Sequence, residues 1–127
     1  MARFVRQKTH LLISFRHALR GIRFVLFSQR NMWIHVSVAF VALCLGWFLK
    51  ITTIEWMYLI FSIFLVLIAE TFNTSIEVLV DLVTRQRRVR AMFSKDIAAG
   101  AVLMAAVHAV IAGYFIFFER IVTLWSS

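Results

Sequence analysis

The chain of 127 residues contains no proline, four glycines and one cysteine, and its six acidic residues stand against 14 basic ones. Without proline, and with glycine confined to Gly21, Gly46, Gly100 and Gly113, little interrupts helix. An all-helical fold is expected rather than one of strands and turns. The lone Cys44, inside an apolar run, excludes an intrachain disulfide and a cysteine zinc site. His10, His17, His35 and His108 show neither HExxH nor another close metal-ligand pairing, and most are expected to be interfacial or core residues. No linker, low-complexity tract or internal repeat divides the sequence, so one domain over 1–127 is expected. The basic start is not followed, within the usual length, by an apolar segment with an A-x-A site, so no removable signal peptide is expected.

What the chain has in excess is apolar residue, 62% of the total against roughly 45–50% in soluble domains. Three long apolar runs carry it, at about 31–50, 54–84 and 95–125. Crossing hydrocarbon takes about 20 residues, so the second and third runs should project beyond the bilayer at one end. Twelve of the 14 basic residues flank one side: Arg3, Arg6, Lys8, Arg16, Arg20, Arg23 and Arg30 before the first run, and Arg85, Arg87, Arg88, Arg90 and Lys95 between the second and third. Only Lys50 and Arg120 fall on the other side. This asymmetry predicts a cytoplasmic N-terminus and 84–96 loop, with the C-terminus outside. In the region 1–30, "FRHALRGIRFVLF" spaces Phe15, Leu19, Ile22 and Leu26 three to four residues apart, with Arg16, Arg20 and Arg23 on the other side. A basic amphipathic helix of this kind lies in the plane of the headgroups. The net charge of +8 is thereby explained by topology and anionic lipid, and nucleic acid is not expected as a partner.

Within the second run, "AETFNTSIEVLVD" places Glu70, Asn73, Glu77 and Asp81 in a sector of about 80° around a helix of 100° per residue. A carboxylate facing hydrocarbon costs at least about 2.5 kcal/mol, so this stripe must face a cavity, another helix or a partner subunit. At the start of the third run, Lys95 lies level with one end of the stripe, and Asp96 is placed to cap the helix. Ala98, Ala99, Gly100 and Ala101 allow another helix to approach closely. Carboxylates, an amide and a lysine at a membrane surface fit a site for Mg²⁺ and phosphate. The remaining, partly desolvated carboxylate can accept a proton from a hydroxyl. The same stripe also fits an ion or proton relay in a small transporter, or a polar seam that fixes the register of an oligomer. Spacing leaves the three readings open.

The pattern E-x-x-N-[ST]-x-I-E-x-x-V-D, present as Glu70, Asn73, Thr74, Ile76, Glu77, Val80 and Asp81, followed by Lys95-Asp96 and "IAAGAVL", resembles the small prokaryotic diacylglycerol kinases and undecaprenol kinases. "SFRHALRGI" and "RNMWIH" extend the resemblance over nearly the whole chain. It implies an integral-membrane lipid kinase of the bacterial cytoplasmic membrane. Each subunit would have a surface helix and three transmembrane helices, assembled as a homotrimer with shared active sites. ATP would be the phosphoryl donor and Mg²⁺ the metal, and no GxxxxGK[ST] loop is needed. By position, Glu70 would be the general base and Asn73 would position the reacting groups. Lys95 would stabilise phosphoryl charge, Glu77 would ligate the metal, and Asp96 would orient the nucleotide. His17 and Gln29 would join Glu77, Lys95 and Asp96 around the nucleotide. Asp81 is read outside this set, as a helix-end charge that pairs with nearby arginines.

The chain departs from the family's pattern at Gln29, where the family usually has a second metal-ligating glutamate. An amide oxygen coordinates without the charge that offsets Mg²⁺ dehydration. The loop "TRQRRVRAMFS" is also more basic than is common among relatives. "RNMWIH" and "KDIAAGAVL" look more like the undecaprenol kinase branch, so undecaprenol is the expected lipid, with diacylglycerol as the alternative.

Overall fold

The computed structural model describes residues 2–126 apart from Arg85 and Arg87, with side chains from His10 onward. Those two loop arginines, and the side chains of Arg3, Arg6 and Lys8, therefore lie outside the described residues. The described chain is helical throughout, as α1 (Ala2–Ser28), α2 (Arg30–Phe48), α3 (Thr53–Val83) and α4 (Val89–Trp125). The last three are each long and apolar enough to cross a membrane. With 31 residues, α3 is about 46 Å long against a hydrocarbon thickness of roughly 30 Å. One end of it must stand clear of the hydrocarbon.

Each junction has a local cause. A single extended residue, Gln29 (φ −110°, ψ 119°), separates α1 from α2. Helix α2 ends in a Schellman turn, in which the Ile51 N–H donates to the Gly46 carbonyl at 3.2 Å and the Lys50 N–H to the Trp47 carbonyl at 3.3 Å. The turn puts Lys50 at φ 50°, a left-handed position that usually falls to glycine. The next helix starts at once. Thr52 caps α3 by accepting from the Glu55 N–H at 3.4 Å, and the Glu55 carboxylate accepts from the Thr52 N–H at 2.7 Å, a reciprocal capping box. Between α3 and α4 the Gln86 N–H donates to Thr84 Oγ1 at 3.2 Å, a tight turn of the kind threonine favours.

Helix α4 starts at Val89, six residues before the expected position. Nothing in "VRAMFS" breaks a helix, and Arg90, Ala91 and Met92 are good helix formers, so the helix runs through the basic segment instead of stopping at it. Asp96 consequently lies two turns inside α4, and the expectation that it caps the helix is corrected.

Helix α3 is the centre of the packing, with α4 against it along most of its length and α2 against it from the turn end. There Ile51, Leu59, Ile116 and Phe117 form the buried cluster. Gly46 permits the approach, because a Cβ on it would lie 3.0 Å from the Ile51 side chain and 3.2 Å from Trp56. The C-terminal part of α1 rests on α3 through Val25, with Met32 of α2 beside it. Elsewhere the chain taken alone leaves large apolar side chains such as Phe48, Leu82, Phe115 and Trp125 exposed. Removing that surface from water at roughly 25 cal/mol per Å² is the physical reason for a multi-pass membrane protein. Ser62 in mid-span is satisfied inside the chain, its hydroxyl donating to the Tyr58 carbonyl at 2.8 Å and lying 3.5 Å from His108 Nδ1.

Candidate active site

The polar stripe of α3 divides into two parts with different environments. In the deeper part Glu70 and Thr74 are each 1% exposed and Asn73 is 5% exposed. Thr74 spends its hydroxyl locally, donating to the Glu70 carbonyl at 2.9 Å. One oxygen of the Glu70 carboxylate, Oε1, and the Asn73 side-chain oxygen are buried without a hydrogen-bond partner. An unsatisfied buried acceptor costs about 1–3 kcal/mol, and more when it is charged. Two on adjacent turns of one face mark a place that no hydrogen bond among the described residues completes. The amide of Asn73 faces the other way, donating to Glu77 Oε1 at 3.2 Å. Asn73 is thus tied to the half-buried carboxylate one turn further on.

In the shallower part the stripe meets α4. Lys95 Nζ donates to Asp81 at 2.6 Å, so Asp81, read from sequence as pairing with arginines, pairs with the site lysine. Both side chains are partly open to solvent, 36% for Lys95 and 65% for Asp81, and the bond is worth less than about 1 kcal/mol as a fastening. Its effect is positional. It holds the lysine one turn beyond Glu77, on the rim of a cavity of about 210 Å³ whose other walls include Thr84, Gln86 and Arg88. Asp96 is exposed on the neighbouring position of α4.

Of the expected site residues, Glu70, Asn73, Glu77 and Lys95 thus lie along one face at the loop end of α3 and α4. Gln29 is half-buried at the α1–α2 junction, where its side chain makes no capping bond to α2. His17 is exposed on α1. Neither is joined to Glu77 by a hydrogen bond. Among the described residues no three His, Cys, Asp or Glu side chains gather closely enough to hold a metal alone. The donors that are present, the Glu77 carboxylate and the unpartnered oxygens beside it, are all oxygen. Such a set fits Mg²⁺, which takes one or two carboxylates and completes its shell with phosphates and water.

Sequence reasoning counted His35 among the interfacial or core histidines. It is half-buried on α2 and lines a cavity of about 330 Å³ between α2, α3 and α4. A histidine five residues into a membrane span was the available signal.

Comparison with known proteins identifies the family. The sequence profile of the family described as prokaryotic diacylglycerol kinase matches residues 16–117. The chain is 38% identical over 108 residues to the undecaprenol kinase of Bacillus subtilis (strain 168), covering 85% of this chain and 88% of that one. It is 39% identical over 105 residues to a diacylglycerol kinase of Synechocystis, covering 82% of this chain and 60% of that one. A diacylglycerol kinase of Haemophilus influenzae is similar at 27% identity, over 87% of this chain and 94% of that one.

Proposed function

Because the chain belongs to the prokaryotic diacylglycerol kinase family, and so is a lipid kinase with ATP as phosphate donor, we propose that it converts undecaprenol to undecaprenyl phosphate at the loop end of α3. The observation that carries the site assignment is the buried, unpartnered Glu70 oxygen beside the Asn73–Glu77 pair. A carboxylate kept dry and free is suited to take a proton, whereas one already paired is not.

In the reaction the lipid hydroxyl oxygen bonds to the γ-phosphorus of ATP while the bond from that phosphorus to the bridging oxygen of ADP breaks. Glu70 accepts the hydroxyl proton. Asn73 holds the Glu77 carboxylate through its 3.2 Å bond. The Lys95 ammonium has three donors and spends one on Asp81, leaving two for phosphoryl oxygens. Asp96, His17 and Gln29 are assigned to the nucleotide by the family's pattern. Mg²⁺, when bound, would be held by Glu77, with the Gln29 amide oxygen as a weaker second ligand, and would neutralise phosphate charge. Burial excludes water from the Glu70 end, which favours transfer to the lipid over hydrolysis.

The enzyme works as a homotrimer in the bacterial cytoplasmic membrane, its N-terminus and the α3–α4 loop cytoplasmic and α1 amphipathic along the headgroups. Charge asymmetry supports the orientation, and the unpartnered face of α3 supports sites shared between subunits. Undecaprenol is favoured over diacylglycerol by the segments "RNMWIH" and "KDIAAGAVL". The test is transfer of labelled γ-phosphate from MgATP to undecaprenol and to diacylglycerol, side by side in mixed micelles. Faster labelling of undecaprenol is expected. Faster labelling of diacylglycerol would reassign the substrate, and labelling of neither by folded protein would overturn the assignment of both lipids.

A further inference from the structure

Helices α2 and α4 both pack on α3 but scarcely meet each other. Small residues line the gap from both sides, Ala39 and Ala42 on α2 and Ala106, Ala109 and Gly113 on α4, so that a groove of about 330 Å³ is left along α3. Its floor is the apolar continuation of the site. At 100° per residue Leu59, Ile63 and Val66 lie within about 40° of Glu70 around α3, and Val66 is one turn away from it. Apart from His35 and Ser62 the lining is apolar, and Ser62 spends its hydroxyl on the Tyr58 carbonyl. From Ala106 to Phe117 the α4 wall is about 16 Å long, which gives the groove a mean cross-section of about 20 Å². That is the girth of one hydrocarbon chain. A helix, about 10–12 Å across with its side chains, is far too wide to enter.

We propose that this groove seats the acceptor's single hydrocarbon chain, with the hydroxyl at Glu70 and the chain running along α3 toward the α2–α3 turn, and so selects a polyprenol against a diacylglycerol. The inference rests on the assignment of Glu70 as the base and of undecaprenol as the acceptor. The direction suits a membrane alcohol, whose hydroxyl lies toward the interface and whose chain lies in the hydrocarbon. Lipid tails outside the groove are as apolar as its walls, so seating the chain gains little from the hydrophobic effect. What the groove contributes is alignment of the hydroxyl with the base and a width that admits one chain. The two chains of diacylglycerol leave neighbouring carbons of one glycerol, and only one of them fits.

A Cβ on Gly113 would meet nothing closer than Phe117 Cδ2 at 4.0 Å, so Gly113→Leu fills the groove with little strain on the fold. The experiment measures kcat and KM in mixed micelles with MgATP for undecaprenol and for geraniol, whose two isoprene units occupy only the Glu70 end. It also maps where a polyprenol with a diazirine on its third isoprene unit cross-links to the wild type without ATP. We expect Gly113→Leu to raise the KM for undecaprenol about tenfold, the lower end of what a changed apolar pocket discriminates, to raise that for geraniol less, and to leave the KM for ATP within about twofold. Cross-links are expected on α2 and α4 along the groove. An unchanged KM for undecaprenol, equal changes for the two prenols, or cross-links that are absent or confined to α1 overturn the inference. A folded Gly113→Leu protein that no longer forms the wild-type oligomer gives the groove to a second copy and overturns it too. Should Gly113→Leu not fold, Ala109→Leu replaces it. A wild type that transfers phosphate to neither prenol removes the undecaprenol assignment instead, and the cross-links still decide what the groove holds.

Discussion

Glu55 and Glu70 are the same residue on the same helix, about 22 Å apart along it, and their surroundings are opposite. At the turn end both Glu55 oxygens are taken, Oε1 by Arg120 at 2.6 Å and Oε2 by Arg120 at 2.8 Å and the Thr52 N–H at 2.7 Å. The guanidinium grips the carboxylate with two nitrogens, the strong form of this contact, and also donates to the Ile116 carbonyl at 3.0 Å. One side chain therefore starts α3, closes its first turn and ties it to α4. At the loop end Glu70 is more deeply buried, yet its Oε1 has no partner. The contrast teaches where to look for chemistry in this fold. A carboxylate whose oxygens are all committed is a fastening, and a buried one left open is available to a substrate.

That contrast can be broken or sharpened at several points, with effects of decreasing size. Glu77→Gln keeps the bond from Asn73 but removes a charge. At fixed low Mg²⁺ it should slow transfer about 100-fold, read as a shift of the Mg²⁺ concentration for half-maximal rate. Glu55→Ala strips the capping box and the Arg120 pair together and should lower stability by about 2 kcal/mol, measured by unfolding in mixed micelles, while the kcat of the folded enzyme stays unchanged. A large loss of kcat there would erase the distinction between the two ends. Gln29→Glu supplies a second anionic oxygen and should tighten Mg²⁺ binding about tenfold, seen in the same titration. Lys50→Gly relieves the left-handed residue at the end of α2 and should raise stability by about 1 kcal/mol, with no effect on rate.

The sequence made the three apolar helices legible because each sustains hydrophobicity for the length of a bilayer, a signal that needs no tertiary information. The stripe from Glu70 to Asp81 was legible for a similar reason, since helical periodicity alone puts those residues on one face. The start of α4 was not, because the segment before Lys95 carries no breaker and Ser94, a residue type that caps helices, instead donates its hydroxyl to the Arg90 carbonyl inside the helix, while the basic residues that mark a membrane edge are also good helix formers. The Glu55–Arg120 clamp joins residues 65 apart in the chain, and that pairing depends on the register of two packed helices. From sequence Arg120 counted only as a charge on the far side. Lys50 gave no sign of its left-handed conformation, which glycine or asparagine would have advertised. His35 showed only as a single histidine in an apolar span, and the cavity it lines is made by the packing of α2, α3 and α4.

The most direct test of the central claim is the single-turnover rate of phosphoryl transfer from MgATP to undecaprenol for Glu70→Gln and Glu55→Gln in the same micelles, with folding checked by helical content. The account predicts a loss of about 100- to 10,000-fold for Glu70→Gln and a rate near wild type for Glu55→Gln. A Glu70→Gln enzyme that transfers phosphate as fast as the wild type would contradict it.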